Sequence, residues 1–154
     1  MLTVADPNGG VQRHLLPGSL LWRKDSYVGV VDHYGILLQA FPPVVAHIDK
    51  SIEGYLQPRV ESYEQFAAGR QVMGEPVAEA IPLEVMWPRV NEIARVKRPF
   101  GLMAFGDTWN CESFARHVRE GIARSTQAIS AKEALVILGV TVGVVALIAT
   151  ATKG

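Results

Sequence analysis

Val28-Gly29-Val30-Val31-Asp32-His33-Tyr34-Gly35-Ile36-Leu37-Leu38, then Phe41-Pro42-Pro43, then Val44-Val45-Ala46-His47-Ile48, is the stretch on which the fold turns. β-branched and aromatic runs separated by turn residues predict strands over 28–31, 34–38 and 44–48, joined as an antiparallel meander. Upstream, Pro17-Gly18-Ser19 opens the apolar run Leu20-Leu21-Trp22, where the domain proper is expected to begin after an irregular leader over 1–16. Downstream, Glu61 to Gly69 and Pro82 to Arg95 read as short helices. The second carries Val85, Val90, Ile93 and Ala94 on its apolar face, with Pro88 breaking or restarting it. Phe114, Val118 and Ile122 at spacing four predict an amphipathic helix from Asn110 to about Arg124. The expected class is α+β, an antiparallel sheet packed against helices.

The chain of 154 residues has room for one domain of ordinary size. Lys+Arg and Asp+Glu are both 15, so no basic surface calls for a nucleic-acid partner. Apolar residues reach 49% against 19% charged, and the excess sits at the C-terminus. Ala134 to Thr152 carries no charge, and 19 helical residues at 1.5 Å rise span about 28 Å, near the hydrocarbon thickness of a bilayer. The first twelve residues, with Asp, Pro and two Gly, hold no signal-peptide core, so 134–152 is expected to be a transmembrane tail anchor. Arg116, Arg119, Arg124 and Lys132 precede it and only Lys153 follows, which keeps the N-terminal domain cytosolic. Gly139 and Gly143 form a GxxxG pair, too common in membrane helices to make dimerisation its main purpose.

The single cysteine excludes an internal disulfide and a cysteine-rich zinc site. Asn110 is a favoured N-cap, so Cys111 falls in the first helical turn, where unpaired N–H groups and the helix dipole favour a thiolate. Position alone leaves two options open, a nucleophile or a buried small hydrophobe. A nucleophile needs a base. His14 precedes the domain, and His117 lies six residues beyond Cys111 on a different face of the same helix. His33, at the head of a predicted strand, is the best placed, the alternative being a half-buried sheet histidine.

Pro17-Gly18-Ser19-Leu20 before a strand, Asp32-His33-Tyr34-Gly35-Ile36, and Asn110-Cys111-Glu112-Ser113-Phe114-Ala115-Arg116 resemble the H-box and NC motifs of the lecithin retinol acyltransferase-like family. The resemblance covers residues 17 to about 125, so that 17–128 would be the catalytic domain, and Glu120 to Ser125 ahead of the anchor is similar too. It implies a permuted NlpC-like, papain-like thiol fold. Small tail-anchored members are thiol phospholipases A and phospholipid acyltransferases; relatives include NlpC-type cysteine peptidases and viral H-box/NC proteins.

By that resemblance Cys111 is the nucleophile, His33 its base and His47 the group orienting the His33 ring. The family usually spaces the two histidines by twelve residues, whereas here the spacing is fourteen across Pro42-Pro43. An even insertion keeps the side chain on the same strand face, with water or Gln39 a partial replacement for His47 if the longer turn shifts it. Ser113 replaces a frequent histidine at a position with no catalytic role. The implied chemistry is attack of the thiolate on a phospholipid ester, giving an acyl thioester resolved by water, an amine or a hydroxyl, with no cofactor and no metal. Trp22, Tyr34, Phe41 and Trp109 would either line an acyl groove or pack in the core. The alternatives are a membrane-anchored adaptor without activity, and a cysteine peptidase or amidase.

Overall fold

The computed structural model describes residues 3–4, 13–24, 32–50, 53–101 and 109–125. Its chain order is β1 (Thr3–Val4), β2 (Arg13–His14), β3 (Leu20–Lys24), β4 (Asp32–Ala40), β5 (Pro43–Lys50), β6 (Leu56–Ser62), α1 (Tyr63–Ala67), β7 (Met73–Glu75), α2 (Leu83–Val96) and α3 (Cys111–Glu120). β3 to β7 form a five-stranded antiparallel sheet in the order β6-β5-β4-β3-β7, so the class is α+β with helices on the sheet. The predicted strands over 34–38 and 44–48 are the centres of β4 and β5. The run Val28–Val31 and the apolar segment 134–152 lie outside the described residues. Among the described residues no helix is long and apolar enough to cross a membrane.

Alternation along β4 and β5 sorts their side chains onto two faces. Tyr34, Ile36, Leu38, Ala46 and Ile48 join Leu20 beneath α2 and α3, which contribute Met86, Val90, Ile93, Phe114, Ala115 and Val118. Leu37, Val45 and Leu21 face the other way, onto Leu15, Phe66, Ala67 and Val72. Pairing passes from Leu37↔Val45 to Gln39↔Val44, so Leu38 is the extra residue of a bulge. The Gln39 side-chain nitrogen Nε2 donates to the carbonyls of Phe41 and Pro42 at 2.9 and 3.2 Å, closing the hairpin.

Several sequence expectations are corrected. The leader is not wholly irregular: Arg13–His14 pairs with Thr3–Val4, and Leu15 is buried in the second core. Glu61 belongs to a strand, paired with Val45, because the Ser62 hydroxyl accepts from the Gln65 N–H while the Gln65 side chain accepts from the Ser62 N–H. That capping box starts α1 at Tyr63 and no earlier. α2 runs unbroken through Pro88, which faces solvent, where water can serve the carbonyl it leaves unpaired. Its buried stripe is Met86, Val90 and Ile93; Val85 and Ala94 are exposed. α3 stops at Gly121, whose φ of 76° is a left-handed cap that glycine adopts without strain, and this leaves Ile122 outside the helix and exposed.

Candidate functional site

The Asn110 carboxamide oxygen accepts from the Ser113 N–H at 2.8 Å and caps α3, so Cys111 is its first residue. Behind it lies a polar network that the sequence reading does not contain. Glu112, fully buried, accepts from Arg116 Nε at 3.0 Å and from the Ser125 hydroxyl at 2.8 Å; Ser125 in turn accepts from Asn110 Nδ2 at 3.0 Å. The cap is thereby tied to the segment following the helix. The four-residue step from Glu112 to Arg116 is the one signal in the sequence that could have revealed part of it.

The Cys111 sulfur donates toward the Asp32 carbonyl at 3.4 Å. With ordinary peptide geometry this puts it within about 6 Å of the His33 Cα. Burial pushes the thiol up to about 11, against the opposing pull of backbone N–H groups of Tyr34, Glu112 and Cys111 itself. At neutral pH the resting group is therefore a thiol, and the helix start alone does not ionise it. Asp32 is also shifted upward, by burial first.

His33 and His47 lie on the sheet face opposite the α3 core, in the row of Gly35, Leu37 and Val45. His33 Nε2 and His47 Nδ1 are 3.0 Å apart. Both rings lean on Phe66, with centroids at 5.7 and 5.5 Å, and the Arg23 guanidinium covers the same phenyl ring at 5.6 Å. On its far side His47 Nε2 is 2.9 Å from Glu61 Oε1. His47 is held below the usual histidine range by burial, with Glu61 and Asp49 pulling the other way and Arg23 reinforcing the drop. A neutral His47 that presents Nε2–H to the Glu61 carboxylate offers a lone pair at Nδ1. His33 must then donate from Nε2, which leaves its own lone pair on Nδ1.

The structure thus joins His33 and His47 directly, whereas it brings the Cys111 sulfur only to the backbone of Asp32 and Tyr34, on the α3 face, with the His33 ring resting on Phe66 on the opposite face. Glu61, read in the sequence as a helix residue, is the member that was missed. Gln39 is engaged with the hairpin turn and does not stand in for His47. His14 is exposed on β2, and His117 contacts Glu92 at 3.3 Å and the Trp109 ring at 5.0 Å. Of the four aromatic residues, Trp22 and Tyr34 stack on each other at 5.7 Å and Trp109 packs against the first core, whereas Phe41 is exposed at the hairpin tip. An apolar groove of about 350 Å³, lined by Leu38, Val44, Val60, Leu83 and Trp87, opens between the sheet and α2. It lies at the other end of β4, roughly 20 Å of strand from Asp32, too far for it to hold the atom that a Cys111 nucleophile would attack. No protein-family model matches the chain, and no curated protein matches it.

Proposed function

We propose that the chain is a thiol acyltransferase or phospholipase A working at a membrane surface. The observation that carries this is the alignment of Glu61, His47 and His33 on one sheet face, with the Cys111 sulfur against the Asp32 carbonyl, next to His33 in the chain but on the α3 side of the strand. In this proposal the His33 ring reaches round the start of β4 to the α3 side, where its Nδ1 lone pair removes the Cys111 proton. The thiolate then attacks the ester carbonyl of a phospholipid, the carbon–oxygen bond breaks, and the leaving alkoxide takes the proton back from His33. Water, an amine or a hydroxyl resolves the thioester. The α+β frame, with the nucleophile at a helix start over an antiparallel sheet, fits a permuted papain-like thiol fold. Residues 134–152 as a cytosol-facing tail anchor would hold the site beside its substrate at high effective concentration.

One observation favours a non-enzymatic adaptor instead: Cys111 is only 7% exposed and its thiol is protonated at neutral pH. Incubating the full-length protein with labelled phosphatidylcholine and measuring intact mass separates the two. An acyl adduct on wild type that is absent from Cys111→Ser supports the enzyme. No adduct at any pH from 6 to 10 supports the adaptor.

A further inference from the structure

The geometry points to a divalent transition-metal site, of zinc type, formed by His33, His47 and Asp49. One donor atom from each of these three side chains lies within 4.8 Å of the other two. The His33 Nε2 to His47 Nδ1 separation of 3.0 Å is close to the roughly 3.3 Å between donors that sit 2.0–2.1 Å from a tetrahedral zinc. Imidazole, imidazole and carboxylate is a donor set that suits zinc and cobalt.

The surroundings match what metal-binding side chains ordinarily have behind them. The nitrogen of His47 turned away from His33 faces the Glu61 carboxylate at 2.9 Å, and Asp49 Oδ2 is held by Arg59 Nε at 2.8 Å. Partners of this kind orient a ligating ring and a ligating carboxylate. His47 is buried, while Asp49 and His33 are half-buried, so the ion would enter from the solvent side past Asp49 and His33 and keep a fourth position for water or an anion.

Metal capture has a chemical consequence, which rests on the proposed role of His33. To ligate through Nε2 the neutral ring moves its proton from Nε2 to Nδ1, with no proton lost overall. The Nδ1 lone pair needed to deprotonate Cys111 is then gone. Zinc at this site is an inhibitor that acts by fixing the wrong tautomer, and its removal by a chelator restores the base.

Cobalt(II) titration of the full-length protein in detergent tests the site without any assay of activity. Visible absorption bands of a four-coordinate ion should saturate at one equivalent, be displaced by zinc and persist in Cys111→Ser. They should weaken tenfold or more in affinity in Asp49→Asn, whose side chain is 41% exposed and whose loss leaves the fold standing. They should vanish in His47→Gln. Absence of the bands, or unchanged affinity in Asp49→Asn, overturns the metal site. In parallel, zinc should suppress thioester formation in wild type at concentrations at least tenfold lower than in Asp49→Asn; equal suppression in both overturns the inhibitory role. Cobalt binding without any thioester would sink the acyltransferase proposal and leave the metal site intact, and the reverse result would do the opposite.

Discussion

His33 Nε2 and His47 Nδ1 meet at 3.0 Å on the sheet face that α3 does not cover. Because the pair shares one proton, each ring fixes the tautomer of the other, and Glu61 at the far end decides which way the chain of donors runs. His33→Ala should therefore lower the rate of thioester formation by about 100- to 10,000-fold, the range for losing a general base. His47→Ala should cost less, since it orients the base without being one, and His14→Ala and His117→Ala should cost little. Single-turnover mass spectrometry checks the order; His47→Ala matching or exceeding His33→Ala would reverse the assigned roles.

Glu61→Gln probes the same chain from its outer end. The amide cannot stabilise charge on His47, so its pKa falls further, because the opposing pull of Glu61 is lost while burial remains. In wild type His47 is held neutral, so the stability it contributes is present above its ordinary value of 6.5 and declines as pH drops below it, where the unfolded chain takes the proton first. Glu61→Gln should steepen that acid-side decline. Denaturant unfolding at pH 7.5 and pH 5 checks it, and parallel pH profiles of the two proteins would mean that the contact carries no coupling.

Cys111 gives the opposite pH signature. A thiol pushed from 9.0 to about 11 by burial stabilises the fold fully below pH 9 and loses that contribution as pH rises toward 11. Alkylation of the resting protein by iodoacetamide should accordingly keep accelerating up to about pH 11. A plateau near pH 7 would show a thiolate already formed. Cys111→Ser should remove the alkaline loss of stability and, in the proposed chemistry, the acyl adduct as well.

The central hairpin was legible because the β-branched and aromatic runs and the Phe41-Pro42-Pro43 break between them both act within a few residues. So was the Asn110 cap, a contact over three residues. Glu61 was not, since its strand is set by pairing with Val45 and by a capping box one residue later, and the run 61–69 alone looks helical. The spacing of His33 and His47 predicted a shared face but not the bulge at Leu38 that lets a fourteen-residue separation close on itself. Glu112 was invisible as a buried charge, because its partner Ser125 lies beyond the helix end.

That buried carboxylate supports a stability prediction. Glu112 is 0% exposed and bonded to Arg116 and Ser125, so Glu112→Ala takes a buried acceptor away from both the Arg116 Nε–H and the Ser125 hydroxyl. Breaking one side of a buried pair typically costs about 3–5 kcal/mol. The loss should appear in urea unfolding followed by tryptophan fluorescence. Arg116 keeps contacts to Glu75 at 3.7 Å and Glu120 at 3.8 Å; a cost under about 1 kcal/mol would mean that the lost pair is relieved that way.

Gly35 links packing to chemistry most directly. It sits between His33 and Leu37 on the histidine face, opposite His47, and a Cβ placed there would lie 2.7 Å from Val45 Cγ1 and 2.9 Å from Phe66 Cε2. Neither neighbour is the free end of a flexible chain: Val45 is fully buried in mid-strand, and Phe66 is fully buried under both imidazoles. Gly35→Ala must therefore push the phenyl ring outward and tilt the two histidines that rest on it. Overpacking of this kind costs about 1–3 kcal/mol, while a misplacement of about 1 Å at a reacting group can cost 100-fold in rate. Thioester formation should thus fall by a larger factor than stability alone explains, with the variant still folded at 25 °C by circular dichroism. Phe66→Leu, which opens space under the added methyl, should restore part of the stability of Gly35→Ala without restoring the rate, because the rings lose the surface that sets their angle. Full recovery of both would show that the phenyl ring only fills space and does not position the histidines.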